Sequence, residues 1–143
     1  MFVLKAFCIF SVEDSVLVYR MKDEHSGSTF YRFVGGKVNF GEKSADTICR
    51  EVKEETGLEL RNPRLLTVVE NVFTYNGVTR HEVDFIYDGT LSGKAHQPGD
   101  TLQCDDDGRK FVAKWKTSRE LEYEGLPVYP WNPFGKNTQT YTT

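Results

Sequence analysis

The chain is poor in the residues that staple small folds together. Three cysteines, Cys8, Cys49 and Cys104, are spread through 143 residues with no C-x-x-C pair. That pattern excludes a disulfide framework and a cysteine-based zinc site, and it sets a reducing, cytoplasmic location as the expectation. Histidine is as scarce: His25, His81 and His96 show no ligand spacing, so each reads as structural or exposed. Long apolar runs are missing too. Residues 1–10 are apolar, but no basic stretch precedes them, Lys5 interrupts them, and Glu13 and Asp14 follow. The segment therefore reads as a strand rather than a leader or a membrane span. Excess positive charge is also lacking. At a net charge of −3 and a pI near 5.6, the chain has no surface for holding polyanionic nucleic acid through counterion release. Small phosphorylated compounds stay open where metal ions mediate.

What is present suffices for one core. Hydrophobic residues make up 38% and aromatics 13%, enough to expect a single packed domain over residues 1–126. Three of the five prolines fall at or after Pro127, so residues 127–143 read as a Pro-rich polar tail, ordered in part at most. Residues 2–10 and 15–21 read as a hairpin turning at Glu13-Asp14, residues 22–28 as a loop and 30–34 as a short strand. Residues 65–74 and 79–87 read as paired strands around Asn76-Gly77, a strong hairpin signal. Within the second, Val83, Phe85 and Tyr87 alternate with Glu82, Asp84 and Ile86. Asn62-Pro63 reads as a break. Residues 91–109, with the run Asp105-Asp106-Asp107, read as a long loop. Residues 111–115 read as a last strand, and 117–122 as the start of a short helix. One dominant helix among short strands predicts an α+β domain with a mixed sheet.

That helix is the clearest element. Its periodicity covers residues 44–56, with Ser44 as N-cap and Gly57 just past the end. Ala45, Ile48, Cys49 and Val52 form an apolar face. Glu51, Glu54 and Glu55 stand at i, i+3 and i+4, which predicts a shared face opposite Ile48 and Val52. Like charges so placed destabilise a helix by a few tenths of a kcal/mol per pair, on the order of 0.2–0.5. The crowding asks for a cation, and carboxylate oxygens suit Mg²⁺ or Mn²⁺. Arg50 faces Glu54 at i+4 and offsets part of the charge. Before the helix, Gly35-Gly36 lets backbone approach a ligand, and Lys37 brings a positive charge for a phosphate.

An isolated E-x-x-E-E is most often a solvated helix face. The wider pattern is far more restrictive. Residues 36–58 read GKVNFGEKSADTICREVKEETGL. Seven fixed identities over 22 positions arise by chance on the order of 10⁻⁸ times per starting position. The segment resembles the Nudix box, G-x5-E-x7-R-E-U-x-E-E-x-G-U, with U a bulky aliphatic residue. Gly36, Glu42, Arg50, Glu51, Val52, Glu54, Glu55, Gly57 and Leu58 meet every fixed position. The stretches YRFVGGKVNFGE and HEVDFIYDG resemble one branch of the family. One departure is Val34, where the family often has proline.

The resemblance implies the Nudix fold, a mixed β-sheet between helices, and Mg²⁺ or Mn²⁺ held by the box. It makes Glu54 and Glu55 the principal ligands and the Gly36 carbonyl another. Glu51 becomes a further ligand or the group that takes a proton from water. Glu42 and Arg50 orient the loop and helix. The implied reaction is attack by a metal-activated water on a P–O–P bridge, in a nucleoside diphosphate joined to another group. Glu51 and Glu54 are the expected catalytic residues. The family handles nucleoside triphosphates, nucleotide sugars, ADP-ribose, dinucleoside polyphosphates and capped RNA, and its habits suggest a homodimer.

Residues outside the box remain open. Glu82 is a candidate extra acid if its strand lies beside the box helix, and otherwise a solvent-facing strand charge. Asp105, Asp106 and Asp107 read foremost as a solvated turn before Gly108. Tyr31, Phe73 and Tyr75 either stack on a base or fill the core. Two other classes compete with a hydrolase. One is a catalytically silent domain that binds a nucleotide as a sensor, against which the intact Glu51, Glu54 and Glu55 weigh. The other is an isomerase of the isoprenoid kind, against which the complete box weighs.

Overall fold

The structure, a computed structural model, describes residues 1–135; the end of the expected tail, 136–143, lies outside the described residues. Nine strands and two helices run in the order β1 (Phe2–Val12), β2 (Ser15–Lys22), β3 (Thr29–Arg32), β4 (Val34–Lys37), α1 (Ser44–Thr56), β5 (Leu60–Tyr75), β6 (Val78–Leu91), β7 (Thr101–Asp106), β8 (Arg109–Thr117), α2 (Ser118–Glu124) and β9 (Val128–Tyr129).

The sheet is mixed. Strand β1 pairs in parallel with β6 and antiparallel with β4, and β5 flanks β6. From the far end of β1 the sheet continues through β2, to which β8 and β3 pair antiparallel, and β9 joins β3 in parallel. Strand alternation sends successive side chains to opposite faces, and both faces are covered. Ala6, Cys8, Tyr87 and Trp115 pack with Ile48 and Val52 of α1. Phe7, Ile9, Ile86 and Phe33 pack on the other side with Leu121 of α2 and with Val128 and Tyr129. Each large aliphatic side chain so buried contributes roughly 1.5–3 kcal/mol. The expected α+β architecture, a mixed sheet between helices, is what forms.

Local expectations fared unevenly. Gly57 closes α1 in the left-handed region at φ 75°, and its N–H donates to the Lys53 carbonyl at 2.9 Å. Ser44 is not the N-cap. Lys43 holds that place with extended backbone and no side-chain cap, while the Ser44 hydroxyl lies 2.6 Å from the Tyr87 hydroxyl. Tertiary pairing has outbid local capping there. Asn62-Pro63 does not break the chain: β5 runs through it by a bulge, with Asn62 at φ 53°. The expected loop 91–109 contains β7, an antiparallel partner of β8 joined to it at Asp107-Gly108. Its apolar residues are too few to announce a strand, since only Leu102 and Cys104 turn inward. The Tyr31 backbone N–H donates to the Pro127 carbonyl at 2.9 Å, and β9 pairs alongside β3 from the next residue on. Residues 127–129 are thereby drawn into the sheet, and Val128 and Tyr129 are buried.

Candidate active site

Helix α1 is held across β4 by its apolar stripe, and this fixes where its acids fall. Glu51 points at Gly36. A Cβ built on Gly36 would lie 2.5–2.7 Å from the Glu51 carboxylate atoms. Only glycine leaves room there, so strand and carboxylate share one small space. Next to it, a Cβ on Gly35 would lie 2.1 Å from the Ala6 carbonyl oxygen, on the other side of the same strand. The two glycines thus serve opposite faces.

Arg50 organises the loop. Its Nε donates to Glu42 at 2.9 Å and its Nη2 to the same carboxylate at 3.0 Å, a bidentate pair. Thr47 donates its hydroxyl to Glu42 at 2.7 Å. Arg50 and then Thr47 hold the Glu42 carboxyl down to about 2, well below the usual carboxylate range. Arg50 Nη1 also donates to Glu51 at 3.0 Å and to Glu54 at 3.3 Å, and Nη2 to the Lys37 carbonyl at 3.3 Å. One guanidinium therefore ties the Gly36–Lys37 loop to three box carboxylates.

The three glutamates do not share one solvated face, as their spacing had suggested. Glu54 is 57% exposed at its side chain and Glu51 14%, whereas Glu55 is buried at 3%. The physical reason is periodicity: Glu55 stands three residues after Val52 and seven after Ile48, so it shares their buried stripe. Neither carboxylate oxygen of Glu55 meets a hydrogen-bond donor among the described residues. Burial, then the Glu51 carboxylate, pushes its pKa up to about 9, and the Arg32 charge opposes this. A buried carboxylate without donors either keeps a proton or faces a cation. As they stand, no group of three or more described His, Cys, Asp or Glu side chains forms a ligand set; Arg50 draws Glu51 and Glu54 to itself. The donor chemistry nonetheless fits a hard divalent ion. It offers an orphaned buried carboxylate, two neighbouring carboxylates and a strand with no Cβ in the way.

Glu82 is elsewhere. Its strand β6 passes under α1, but β6 alternates, and Glu82 and Asp84 leave on the face opposite the helix. Glu82 is therefore neither beside the box carboxylates nor solvent-facing: it is 1% exposed. It pairs with Lys5 at 2.9 Å and accepts from the Tyr129 hydroxyl. Asp84, fully buried, accepts from Asn71 Nδ2 at 2.7 Å, and that amide also donates to the Pro130 carbonyl at 3.2 Å. Burial first, then the charge of Glu82, raises the Asp84 pKa to about 8. Lys37 is exposed, in register with Lys5, and so projects to the Glu82 face rather than toward Glu51.

The remaining expectations separate. Asp105 to Asp107 do form a turn, in which the Asp105 carboxylate accepts from the Gly108 N–H at 2.7 Å and from Lys110 at 2.8 Å. Tyr31 is buried core and donates to Glu124 at 2.7 Å. Phe73 and Tyr75 line a cleft with Lys5, Arg32 and Glu82. The three histidines stay apart: His81 meets Glu70 at 2.8 Å, His96 packs on Trp115, and His25 borders the cleft. Sequence reasoning missed Arg32. Its guanidinium donates to the Phe33 and Gly35 carbonyls at 3.3 Å and lies over the Phe7, Tyr19 and Tyr129 rings. Its place two residues before the box-flanking Val34 gave no signal.

A family model described as the NUDIX domain matches residues 1–133. Among solved structures, a MutT NUDIX hydrolase from Burkholderia pseudomallei superposes with a TM-score of 0.65 at 24% identity, over 85% of this chain and 87% of its own. A NUDIX hydrolase from Nitrosomonas europaea superposes with a TM-score of 0.63 at 19% identity, over 91% and 82%. A MutT protein from Bacillus halodurans gives 0.60 at 24% identity, over 88% and 74%. At these identities the superpositions speak for the fold, and the family match covers nearly the whole chain. With the sheet between two helices and the box helix laid over Gly36, the chain belongs to the Nudix hydrolase family.

Proposed function

We propose that this chain hydrolyses a P–O–P bridge in a nucleoside diphosphate joined to another group, using Mg²⁺ or Mn²⁺. The observation that carries the reading is Glu55, buried with both oxygens lacking donors, beside Glu51 in the space that Gly36 leaves free. Glu54, Glu55 and the Gly36 carbonyl would hold the ion, with Glu51 either joining them or accepting the proton. When bound, a divalent ion supplies charge for the phosphate oxygens and a lower pKa for water.

The chain's own residues supply the rest. Glu51 accepts the proton of the attacking water, the new O–P bond forms, and the bridging bond breaks with the pair leaving on the departing phosphate. Arg50 holds Glu51 and Glu54 in place, and Glu42 fixes Arg50. Lys37, on the sheet face opposite Glu51, would offer its ammonium to a phosphate that extends past β4 rather than to one held at the box carboxylates. Free thiols at Cys8, Cys49 and Cys104 support a cytoplasmic setting; no described helix is long and apolar enough to cross a membrane. By the family's habit the working form is a homodimer, which light scattering reads directly.

The test is release of phosphate or nucleoside monophosphate from a panel of nucleotide diphosphate derivatives, with Mg²⁺ and Mn²⁺, beside Glu54→Gln. ADP-linked compounds go first, because one fold neighbour bears the description ADP compounds hydrolase. Metal-dependent turnover that the variant loses supports the reading. Ligand binding with no turnover of any compound favours a sensor domain instead.

A further inference from the structure

The cleft on the sheet face opposite α1 has a volume of about 690 Å³. It shares β4 with the box. Lys5 on its floor is in register with Lys37, and Arg32 on its wall donates to the Gly35 carbonyl. Phe30, Phe73, Tyr75 and Tyr129 give it aromatic walls. A substrate whose diphosphate lies at Gly36–Lys37 can reach the cleft past β4, which among the described strands pairs with β1 alone.

Its charges do not balance. The chain as a whole carries −3, yet the lining gathers Lys5, Arg32 and Arg80 against only Asp23 and Glu82. Both acids are already engaged. The Asp23 carboxylate accepts from the backbone N–H groups of His25, Ser26 and Asn76 at 2.9, 3.1 and 3.2 Å. Glu82 is taken by Lys5 and Tyr129. Arg32 turns its Nε and Nη2 to the Phe33 and Gly35 carbonyls and lies over aromatic rings. Arg80 is left: its Nε is shut off from solvent and has no hydrogen-bond partner among the described residues, and no ion pair there involves it. A cation without a counter-charge, set among aromatic walls, is a receptor for an anion.

We propose that this cleft is an oxyanion subsite, in which Arg80 reads a phosphate or carboxylate group carried on the part of the substrate joined to the diphosphate. The assignment rests on the hydrolase reading above and adds the substrate class to it. The spacing agrees. Lys5, level with Lys37, is in register with Asp84, and Arg80 lies four residues back along β6. At about 3.3 Å per residue that separation is roughly 13 Å, the reach of a sugar with its substituent rather than of the diphosphate itself. A guanidinium fork suits either oxyanion bidentately.

The test uses the full chain and matched compounds that differ only in the distal charge: a nucleotide sugar with and without a sugar carboxylate, and an adenosine diphosphate compound with and without a ribose phosphate. The wild type is expected to favour the acidic member by about 10- to 100-fold in kcat/KM, mostly through KM, as for one charge-assisted contact. In Arg80→Ala the ratio falls toward one, and Arg80→Lys restores part of it. The Arg80 side chain makes no hydrogen bond or ion pair among the described residues, so equal melting temperatures check that both variants stay folded. A wild-type ratio near one, or a ratio unchanged in Arg80→Ala, overturns the subsite and leaves the hydrolase reading standing. If nothing is hydrolysed, the same pairs are titrated by calorimetry; a preference lost in Arg80→Ala upholds the subsite while the hydrolase reading fails. Inorganic phosphate is the remaining arm. Binding of that ion that needs Arg80, without preference for the acidic member, assigns the site to the free ion and overturns the substrate-borne form.

Discussion

Two acidic clusters lie back to back across one strand, and they behave as opposites. On the α1 face, Glu42, Glu51 and Glu54 surround Arg50 with partial exposure, and Glu55 sits beneath them without a donor. On the other face, Glu82 and Asp84 are wholly buried; Lys5 and Tyr129 hold Glu82, and Asn71 holds one oxygen of Asp84, whose Oδ1 has no hydrogen-bond partner among the described residues. The first cluster concentrates negative charge where a ligand can reach it. The second keeps its acids out of solvent, with Glu82 paired to Lys5 and Asp84 holding a proton to about pH 8. Gly35 and Gly36 mirror this division: one is glycine because backbone passes behind it, the other because a carboxylate stands in front of it. A buried acid alone does not mark a candidate site; the α1 cluster differs in that its buried Glu55 adjoins carboxylates open to solvent, Glu54 above all.

The sharpest way to break the comparison is to exchange the two glycines' roles. Gly35→Ala sets a methyl 2.1 Å from the Ala6 carbonyl and 2.8 Å from the Phe7 Cα, backbone that cannot move aside. A stability loss of about 4 kcal/mol or more is expected, read by chemical denaturation. If Gly35→Ala melts like the wild type, the division fails. On the α1 face, Glu51→Gln is expected to lower kcat by about 10²- to 10⁴-fold, the range of a lost proton acceptor. Its melting temperature should hold, because Arg50 keeps Glu42. Gly36→Ala meets only the end of the Glu51 side chain, which can shift. It should fold, and lose activity by about 10²-fold through displacement of that carboxylate. Steady-state kinetics beside thermal melts separate the two effects.

The smallest expected effect is on pH dependence and tests the supporting cluster. Asp84 titrates ordinarily near 3.8 but keeps its proton to about 8 when folded. Between those values the native state binds the extra proton and the unfolded chain does not. The stability linked to Asp84 is therefore complete below pH 3.8, declines as pH rises, and is gone above about 8. Asp84→Asn retains an acceptor for Asn71 and a donor toward Glu82. It should flatten this decline, raising the melting temperature at pH 8 relative to pH 7 by a few degrees, about what 1 kcal/mol shifts in a domain of this size. A decline as steep in the variant as in the wild type would place the linkage on another group.

Local signals were legible where the chain itself enforces them. Asn76-Gly77 turned as expected because asparagine and glycine accept positive φ; Glu13-Asp14 turned as well, with Glu13 rather than Asp14 at positive φ. The span of α1 and its Gly57 stop followed from periodicity and from the left-handed region glycine allows. Strand β7 was not legible, since its pairing with β8 rests on backbone hydrogen bonds and only two inward side chains. Residues 127–129 read as tail because their partners, β3 and the cluster around Phe7, are about a hundred residues away in sequence.

The sequence by itself determined the family, the reaction class expected of it, and the set of box residues, because those depend on identities at fixed spacing along one helix and its loop. Only the tertiary structure decided which glutamate is buried, that Glu82 and Lys37 leave on the far face, and that Arg80 ends beside a cleft without a counter-charge. Those outcomes depend on how strands alternate across a shared sheet and on which side each neighbour covers, and no spacing within one segment carries that information.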